Sequence, residues 1–471
     1  MKRVCVIGGG VTGLTLCRQL EKSVRDLAIT LYEPEQMGGK VRTVRRDGFC
    51  IEEGADSFLL KSGSPLDLLL AELGLSEKLI SPRERTFAIQ RKGKLHTIPL
   101  GMLKGFPDNL ISLWKCSLFS LSGKLSATLI PAWSYLFPKE LKGDPSIAES
   151  LRARYGAEVS QYFFETVFGG IHSGDANALS FKSLYPDMAD PKGPQGGKYA
   201  RARFVSFPKG MDTFVSALAN SFLYTDLVRE SVLSVVRNED ESGDYLVRSE
   251  SGERAFDAVV VATPAFVTTK LLSELDSALS EALSNIRHSS SAIATLVLSG
   301  DQISKAPKGS GYLMAPGEDG FVTGCTYSSQ KWEGRAPGSE LLVRIFFGRN
   351  GGVADVSDEE IRKAALAEVR EKLGFDGEPR ELLIKRWNSG LPQYECGHEE
   401  RLKEIDESVQ KHSGLFLTGT SYRGVGIPDC VKQAYATAEQ VSDFLSGKEF
   451  GNFSDSITRE EGRDYGETVR A

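Results

Sequence analysis

Val4-Cys5-Val6-Ile7-Gly8-Gly9-Gly10-Val11-Thr12-Gly13-Leu14 is an apolar run, a glycine turn and the start of an apolar-periodic segment. The pattern predicts a strand over 2–7, a sharp turn and a helix over 12–22. Leu27–Tyr32 reads as a second strand, with Glu33 at its end. That is the opening β-α-β of a dinucleotide-binding fold. In this context Gly8 permits the tight turn, Gly10 lets the backbone approach a pyrophosphate, and Gly13 lets helix and strand pack closely. Gly9, Val11 and Thr12 complete the cradle. A carboxylate at Glu33, followed by Pro34, can accept hydrogen bonds from an adenosine ribose. The bland alternative is a plain tight turn with a surface acid.

A second glycine-rich turn lies near the other end of the chain. Leu415-Phe416-Leu417 precedes Gly419-Thr-Ser-Tyr-Arg-Gly424-Val425-Gly426-Ile427-Pro428-Asp429, and a closing helix follows over 428–445 with proline in its first turn. The amides of such a turn and the positive end of the helix favour negative charge in front of them. Two such turns suggest one cofactor held by both ends of the chain.

The turn Gly38-Gly39-Lys40-Val41-Arg42-Thr43 separates FAD from NAD, because it sets a cation soon after the ribose acid. Lys40 and Arg42 could neutralise a diphosphate; otherwise they are solvated surface charges. Gly54-Ala55-Asp56-Ser57 makes a further turn after the strand-like Phe49–Glu52. Trp387, before the loop Asn388–Tyr394, suits a wall of a flavin pocket or the core alone.

The remaining chain of 471 residues is ordinary in composition, with 41% hydrophobic and 25% charged residues. A net charge of −6 and a pI of about 5.7 exclude the global basic field that nucleic acid would require. Seven cysteines without CxxC spacing speak against a zinc site or a disulfide framework and for a reducing compartment. With Met1-Lys2-Arg3 leading straight into a strand, no signal peptide is expected and the cytoplasm is the expected place. No run of about 18 apolar residues predicts a spanning helix. Leu110–Phe137 reads as amphipathic helices, packed on the protein or lying on the inner face of a membrane.

The predicted class is α/β with α+β insertions and a discontinuous cofactor domain. Residues 1–80, 206–270 and 385–446 form that domain. Residues 81–98 and 271–384 form a substrate domain, 99–205 a helical domain, and 447–471 a mobile polar tail. Within these, 227–236 reads as one strand.

The Gly-Gly-Lys turn resembles that of the FAD-dependent amine oxidase superfamily, where arginine is usual in place of Lys40; lysine can act there only as a point charge. Gly170-Ile171-His172-Ser173-Gly174-Asp175 with Leu179-Ser180, Ser206–Met211 and Gly424–Asp429 look like the porphyrinogen oxidase family. The resemblance covers residues 2–446. Within that family Cys325–Tyr327, Lys331-Trp332, Ala336-Pro337, Trp387–Tyr394 and Gly397-His398 are most similar to the Gram-positive-type coproporphyrinogen III oxidases. The resemblance implies a p-hydroxybenzoate-hydroxylase-type Rossmann-like domain with non-covalent FAD, and backbone contact of Val232 with the adenine. It also implies that a porphyrinogen is oxidised in two-electron rounds, with oxygen as acceptor.

Mitochondrial-type protoporphyrinogen oxidases carry an arginine in a slot that holds Phe87 here, with Arg85 two residues earlier. Coproporphyrinogen III is therefore the preferred substrate and protoporphyrinogen IX the alternative. His172, Gly174 and Arg85 are the candidate substrate-site residues, His172 either lining the pocket or simply satisfied in its loop. No general base and no metal site is identifiable. Other superfamily chemistry, or a flavin scaffold without catalysis, stays open, as do a homodimer and peripheral membrane contact.

Overall fold

The computed structural model describes residues 1–99, 102, 110–136, 143–189, 202–238, 244–349 and 352–448. The expected tail thus lies almost wholly outside the described residues. The strands in chain order are β1 (Lys2–Ile7), β2 (Leu27–Tyr32), β3 (Thr43–Arg46), β4 (Phe49–Glu52), β5 (Phe58–Leu60), β6 (Phe87–Arg91), β7 (Lys94–Ile98), β8 (Arg203–Val205) and β9 (Asp226–Val228). They continue with β10 (Val232–Arg237), β11 (Tyr245–Ser249), β12 (Gly252–Phe256), β13 (Ala258–Val261), β14 (His288–Leu298), β15 (Gly311–Met314), β16 (Val322–Tyr327), β17 (Leu341–Phe347), β18 (Glu381–Pro392) and β19 (Leu415–Leu417).

A parallel sheet in the order β19-β13-β1-β2-β9 organises one half of the molecule. Ala-Val-Val-Val of β13 is buried at every position, because both faces of this sheet are covered. On one face pack the helices Val11–Ser23, Pro65–Glu72, Asp212–Ala219 and Ile427–Leu445, around Leu14, Leu69, Phe214 and Val431. The other face carries the antiparallel β10-β11-β12 sheet and the helices Ala265–Leu271, Ser277–Ser284 and His398–Val409. The register pairs Val6 with Leu31 on one side and Val260 on the other, so β1 is central.

One strand expectation is corrected. Residues 227–236 are two strands in two sheets: β9 extends the parallel sheet beside β2, whereas Val232 opens β10 opposite Ser249. The break falls at Arg229-Glu230-Ser231, where the apolar alternation stops.

The second half is a mixed seven-stranded sheet, β18-β14-β17-β16-β15-β6-β7, antiparallel except where β15 meets β6. The helix Asp358–Leu373 covers it through Ile361, Ala365 and Val369. Its start is held by a capping box between Ser357 and Glu360. A helical cluster around Leu113, Leu151, Phe163 and Phe168 abuts Ile89 and Ile98 of β6 and β7.

Candidate functional site

The first glycine turn leaves β1 with Gly8 at φ +111°, its N–H donating to Tyr32 O at 2.9 Å. A Cβ on Gly13 would come within 2.0 Å of the Gly8 carbonyl oxygen, so only glycine lets the Val11–Ser23 helix start this close to the strand. Gly9 is walled in by Met37 and Glu33, but a Cβ on Gly10 would meet nothing within 4 Å. The open side of the turn is therefore at Gly10. Behind it the helix begins with buried Val11 and Thr12 and has no acidic residue in its first turn, so its positive end is not neutralised. Glu33 braces this turn: its carboxylate accepts from Gly9 N at 2.8 Å and Glu35 N at 3.0 Å. Pro34 follows, exposed.

Gly38 N donates to Gly9 O at 2.8 Å, which sets the second turn against the first. Lys40 and Arg42 then diverge. Arg42 is engaged by protein, with Nε donating to Gly39 O at 3.0 Å, an ion pair to Glu35, and the guanidinium 6.0 Å from the Trp387 ring centroid. Lys40 is half-buried, and among the described residues no hydrogen bond or ion pair engages its ammonium. Burial pushes its pKa below the ordinary lysine value, and its charge reaches Cys430 in the closing helix and His288 at the start of β14. Gly54 packs on the Lys40 carbonyl, where a Cβ would approach to 2.0 Å. Trp387 Nε1 donates to Glu53 O at 2.7 Å and closes this side.

In the Gly54-Ala55-Asp56-Ser57 turn the Asp56 carboxylate faces protein. It accepts from Lys331 Nζ and Trp332 Nε1, each at 3.1 Å, and from Ser57 Oγ at 2.8 Å. Burial by itself would raise the Asp56 pKa; Lys331, Arg344 and these hydrogen bonds outweigh it and hold the group well below the carboxylate range. Arg344 Nη2 donates to Gly54 O at 2.6 Å. Arg335, fully buried, pairs with Glu52 at 2.6 Å and donates to Ser206 Oγ at 2.8 Å, and Ser206 in turn donates to Asp56 O at 2.6 Å. Sequence reasoning missed Arg335 and Arg344. Their partners lie 283 and 290 residues away, so nothing in the local pattern marked them.

The second glycine turn leaves β19 with Gly419 at φ +117°. The Ala262 carbonyl, at the end of β13, lies 3.0 Å from a Cβ on Gly8 and 3.6 Å from one on Gly419. The two turns thus flank one strand end at the carboxyl edge of the parallel sheet, where open α/β sheets take ligands. Two amides of the 424–427 turn are engaged by protein. Gly424 N donates to Tyr394 OH at 2.8 Å and Gly426 N to Asp429 Oδ2 at 3.0 Å. Among the described residues no hydrogen bond engages the Val425 and Ile427 amides at the helix start.

The 170–180 block docks beside this turn. Ser173 ends a helix in the left-handed region at φ +45°, and a Cβ on Gly174 would meet Gln393 Oε1 at 2.1 Å. Asp175 braces the loop by accepting from Asn177 N at 2.9 Å. His172 is buried, its Nε2 2.8 Å from Tyr185 OH, and burial lowers its pKa to about 4. It is the satisfied loop histidine. Arg85 is exposed just before β6, while Phe87 packs against the helical cluster. Val232 opens β10, an edge strand, and packs on the cluster that contains Ile7, Tyr32 and Leu417.

The donor set fits FAD. The Val11–Ser23 helix start without an acidic residue, an open glycine at Gly10 and a half-buried ammonium that no hydrogen bond or ion pair engages among the described residues lie near one sheet edge, whereas the closing helix carries Asp429 in its first turn. Among the described residues no group of His, Cys, Asp and Glu could hold a metal ion.

The model of the flavin containing amine oxidoreductases matches residues 11–442. Coproporphyrinogen III oxidase of Bacillus subtilis is 30% identical over 472 residues, covering 94% of this chain and 98% of that one. Chloroplastic protoporphyrinogen oxidase 1 of Spinacia oleracea is 26% identical over 94% of this chain and 84% of its own. The solved structure of an Exiguobacterium sp. protein assigned as a protoporphyrinogen oxidase superposes with a TM-score of 0.81 at 29% identity, over 94% of this chain and 98% of that one.

Proposed function

Because the chain belongs to the flavin containing amine oxidoreductase family and is an FAD-dependent oxidoreductase, we propose that it oxidises a porphyrinogen to the porphyrin with oxygen as acceptor. Coproporphyrinogen III is the preferred substrate. The observation that carries this reading is 30% identity to a coproporphyrinogen III oxidase across 98% of that enzyme. Protoporphyrinogen IX is the second reading, favoured by the spinach relative.

When bound, FAD takes up the electron pairs that the macrocycle loses and passes them to oxygen. The chain's own part is to hold and orient. Gly8–Gly13 and the Val11–Ser23 helix start would hold the diphosphate, with Lys40 as counter-charge. Glu33 would turn from its brace on Gly9 toward the ribose. Trp387 and the Val425 and Ile427 amides would border the ring system. The 170–180 block, locked by Gln393 Nε2 donating to His172 O at 3.0 Å, would form the wall facing the macrocycle. His172 stays neutral near pH 7 and orients Tyr185 rather than carrying a proton. With Phe87 at the arginine slot, substrate carboxylates are left to Arg85 or to other cations.

Peripheral membrane contact belongs to the same proposal. The helices Leu110–Lys115 and Leu121–Leu136 expose Leu110, Ile111, Trp114, Leu121, Leu125 and Leu129. No helix among the described residues is long and apolar enough to cross a membrane.

Anaerobic mixing of the FAD-loaded protein with each porphyrinogen tests the reading. Coproporphyrinogen III is expected to bleach the flavin band at about 450 nm faster than protoporphyrinogen IX does. Bleaching by neither removes the assignment, and a faster response to protoporphyrinogen IX reverses the preference.

A further inference from the structure

Tyr394 is fully buried two residues past β18, in a stretch that touches both halves of the site. Its hydroxyl donates to Thr420 O at 2.7 Å and accepts from Gly424 N at 2.8 Å. One phenol oxygen thus closes the second glycine turn, taking the place of a direct bond between residues four apart. Both polar groups would be orphaned without it. The ring stacks on His398 with centroids 3.9 Å apart and planes 12° apart. His398 Nε2 donates to Tyr422 O at 2.8 Å, and burial lowers the His398 pKa to about 4, which keeps that donor on a neutral ring. Gln433 Nε2 bonds Gly424 O from the closing helix at 3.3 Å.

The main chain of Tyr394 faces the other way. Its carbonyl accepts from Ser180 N at 2.7 Å, Leu179 bridges Glu395, and Cys396 N donates to Ala178 O at 2.9 Å. The residue therefore joins the 170–180 block to the turn in front of the Ile427–Leu445 helix. Gly424 also needs the shape that Tyr394 closes. Its φ is +115°, and a Cβ there would meet the Asp429 side chain at 2.5 Å.

We propose that Tyr394 is a positioning residue that aims the Val425 and Ile427 amides at the flavin ring and holds the substrate-side block in register with them. The inference rests on the reading that this turn borders the ring. It predicts that the hydroxyl tunes the electronics of the bound cofactor, since donors at the ring stabilise the reduced, more negative form. A residue serving only stability would leave the potential alone.

The test compares wild type, Tyr394→Phe and Val425→Pro, each loaded with FAD, by dye-coupled potentiometry and sulfite titration. Tyr394→Phe is expected to weaken sulfite binding about tenfold and to lower the midpoint potential by about 30 mV, the equivalent of tenfold for a two-electron couple. Val425→Pro, which removes one of the aimed amides, is expected to shift both in the same direction. If Val425→Pro shifts the potential and Tyr394→Phe does not, the role given to Tyr394 is overturned while the ring placement stands. If neither shifts it, the ring placement itself fails, and the proposal with it. Should Tyr394→Phe not retain FAD, His398→Phe keeps an aromatic face on Tyr394 and removes the bond to Tyr422. If that variant retains FAD at the wild-type potential, the loss in Tyr394→Phe belongs to the hydroxyl and supports the proposal; if it too fails to retain FAD, the loss belongs to the packing of the pair and the role given to the hydroxyl is overturned.

Discussion

Replacing Lys40 by methionine should change the apoprotein and the FAD complex in opposite directions. In the apoprotein Lys40 is half-buried with no hydrogen bond or ion pair from the described residues, and partial desolvation pushes its pKa down. A polar group cut off from water costs about 1–3 kcal/mol; Lys40 is only half-buried, so a side chain of similar length without charge should stabilise the apoprotein by about 1 kcal/mol or less. On the proposed placement of FAD, the same ammonium is the counter-charge of the diphosphate. A hydrogen bond to a charged group contributes about 1.5–3 kcal/mol, which converts to a loss of about 10- to 100-fold in FAD affinity. Urea unfolding of the apoprotein gives the first quantity. Titration of apoprotein with FAD, followed by quenching of flavin fluorescence, gives the second. A destabilised apoprotein would mean that Lys40 has a protein partner after all. An unchanged FAD affinity would refute its place at the diphosphate.

Gly13→Ala sets a Cβ 2.0 Å from the Gly8 carbonyl oxygen, a backbone atom that cannot swing away. It should destabilise by about 3 kcal/mol or more and abolish FAD retention on gel filtration, which absorbance of the eluted protein reads directly. Asp56→Asn removes the anion shared by half-buried Lys331 and buried Arg344 and leaves both cations without it. A cost of about 3–5 kcal/mol is expected in urea unfolding. The pH dependence follows from His172, whose folded pKa of about 4 lies below the ordinary 6.5. Its contribution to stability is complete above about pH 6.5 and is lost as pH falls toward 4, about 2 kcal/mol of it by pH 5. His172→Phe should flatten the urea midpoint between pH 7 and pH 5 by that share; an unchanged slope would place the titration elsewhere.

The glycine turns were legible because every requirement on them is local. A strand, a positive φ at Gly8 and Gly419, and a helix that starts at once are written in about ten contiguous residues each. The same holds for the Asp358–Leu373 helix with its capping box. The two-strand nature of 227–236 was not legible, since Leu227 and Val232 are both apolar strand formers and only the sheet that each joins tells them apart. Arg42 and Lys40, two residues apart, read alike as free cations. Glu35, Gly39 and Trp387 take the first, and nothing among the described residues takes the second.

By itself the sequence determined the cofactor class and the two glycine turns at the edge of the parallel sheet, because turn geometry depends on residues that are neighbours in the chain. Tertiary structure decided which side chains remain available there. The charges of Asp56, Arg335 and Arg344 are neutralised by partners more than 250 residues distant. Whether a buried charge is matched or left for a ligand depends on what the fold brings within a few ångströms of it, and no local pattern carries that information.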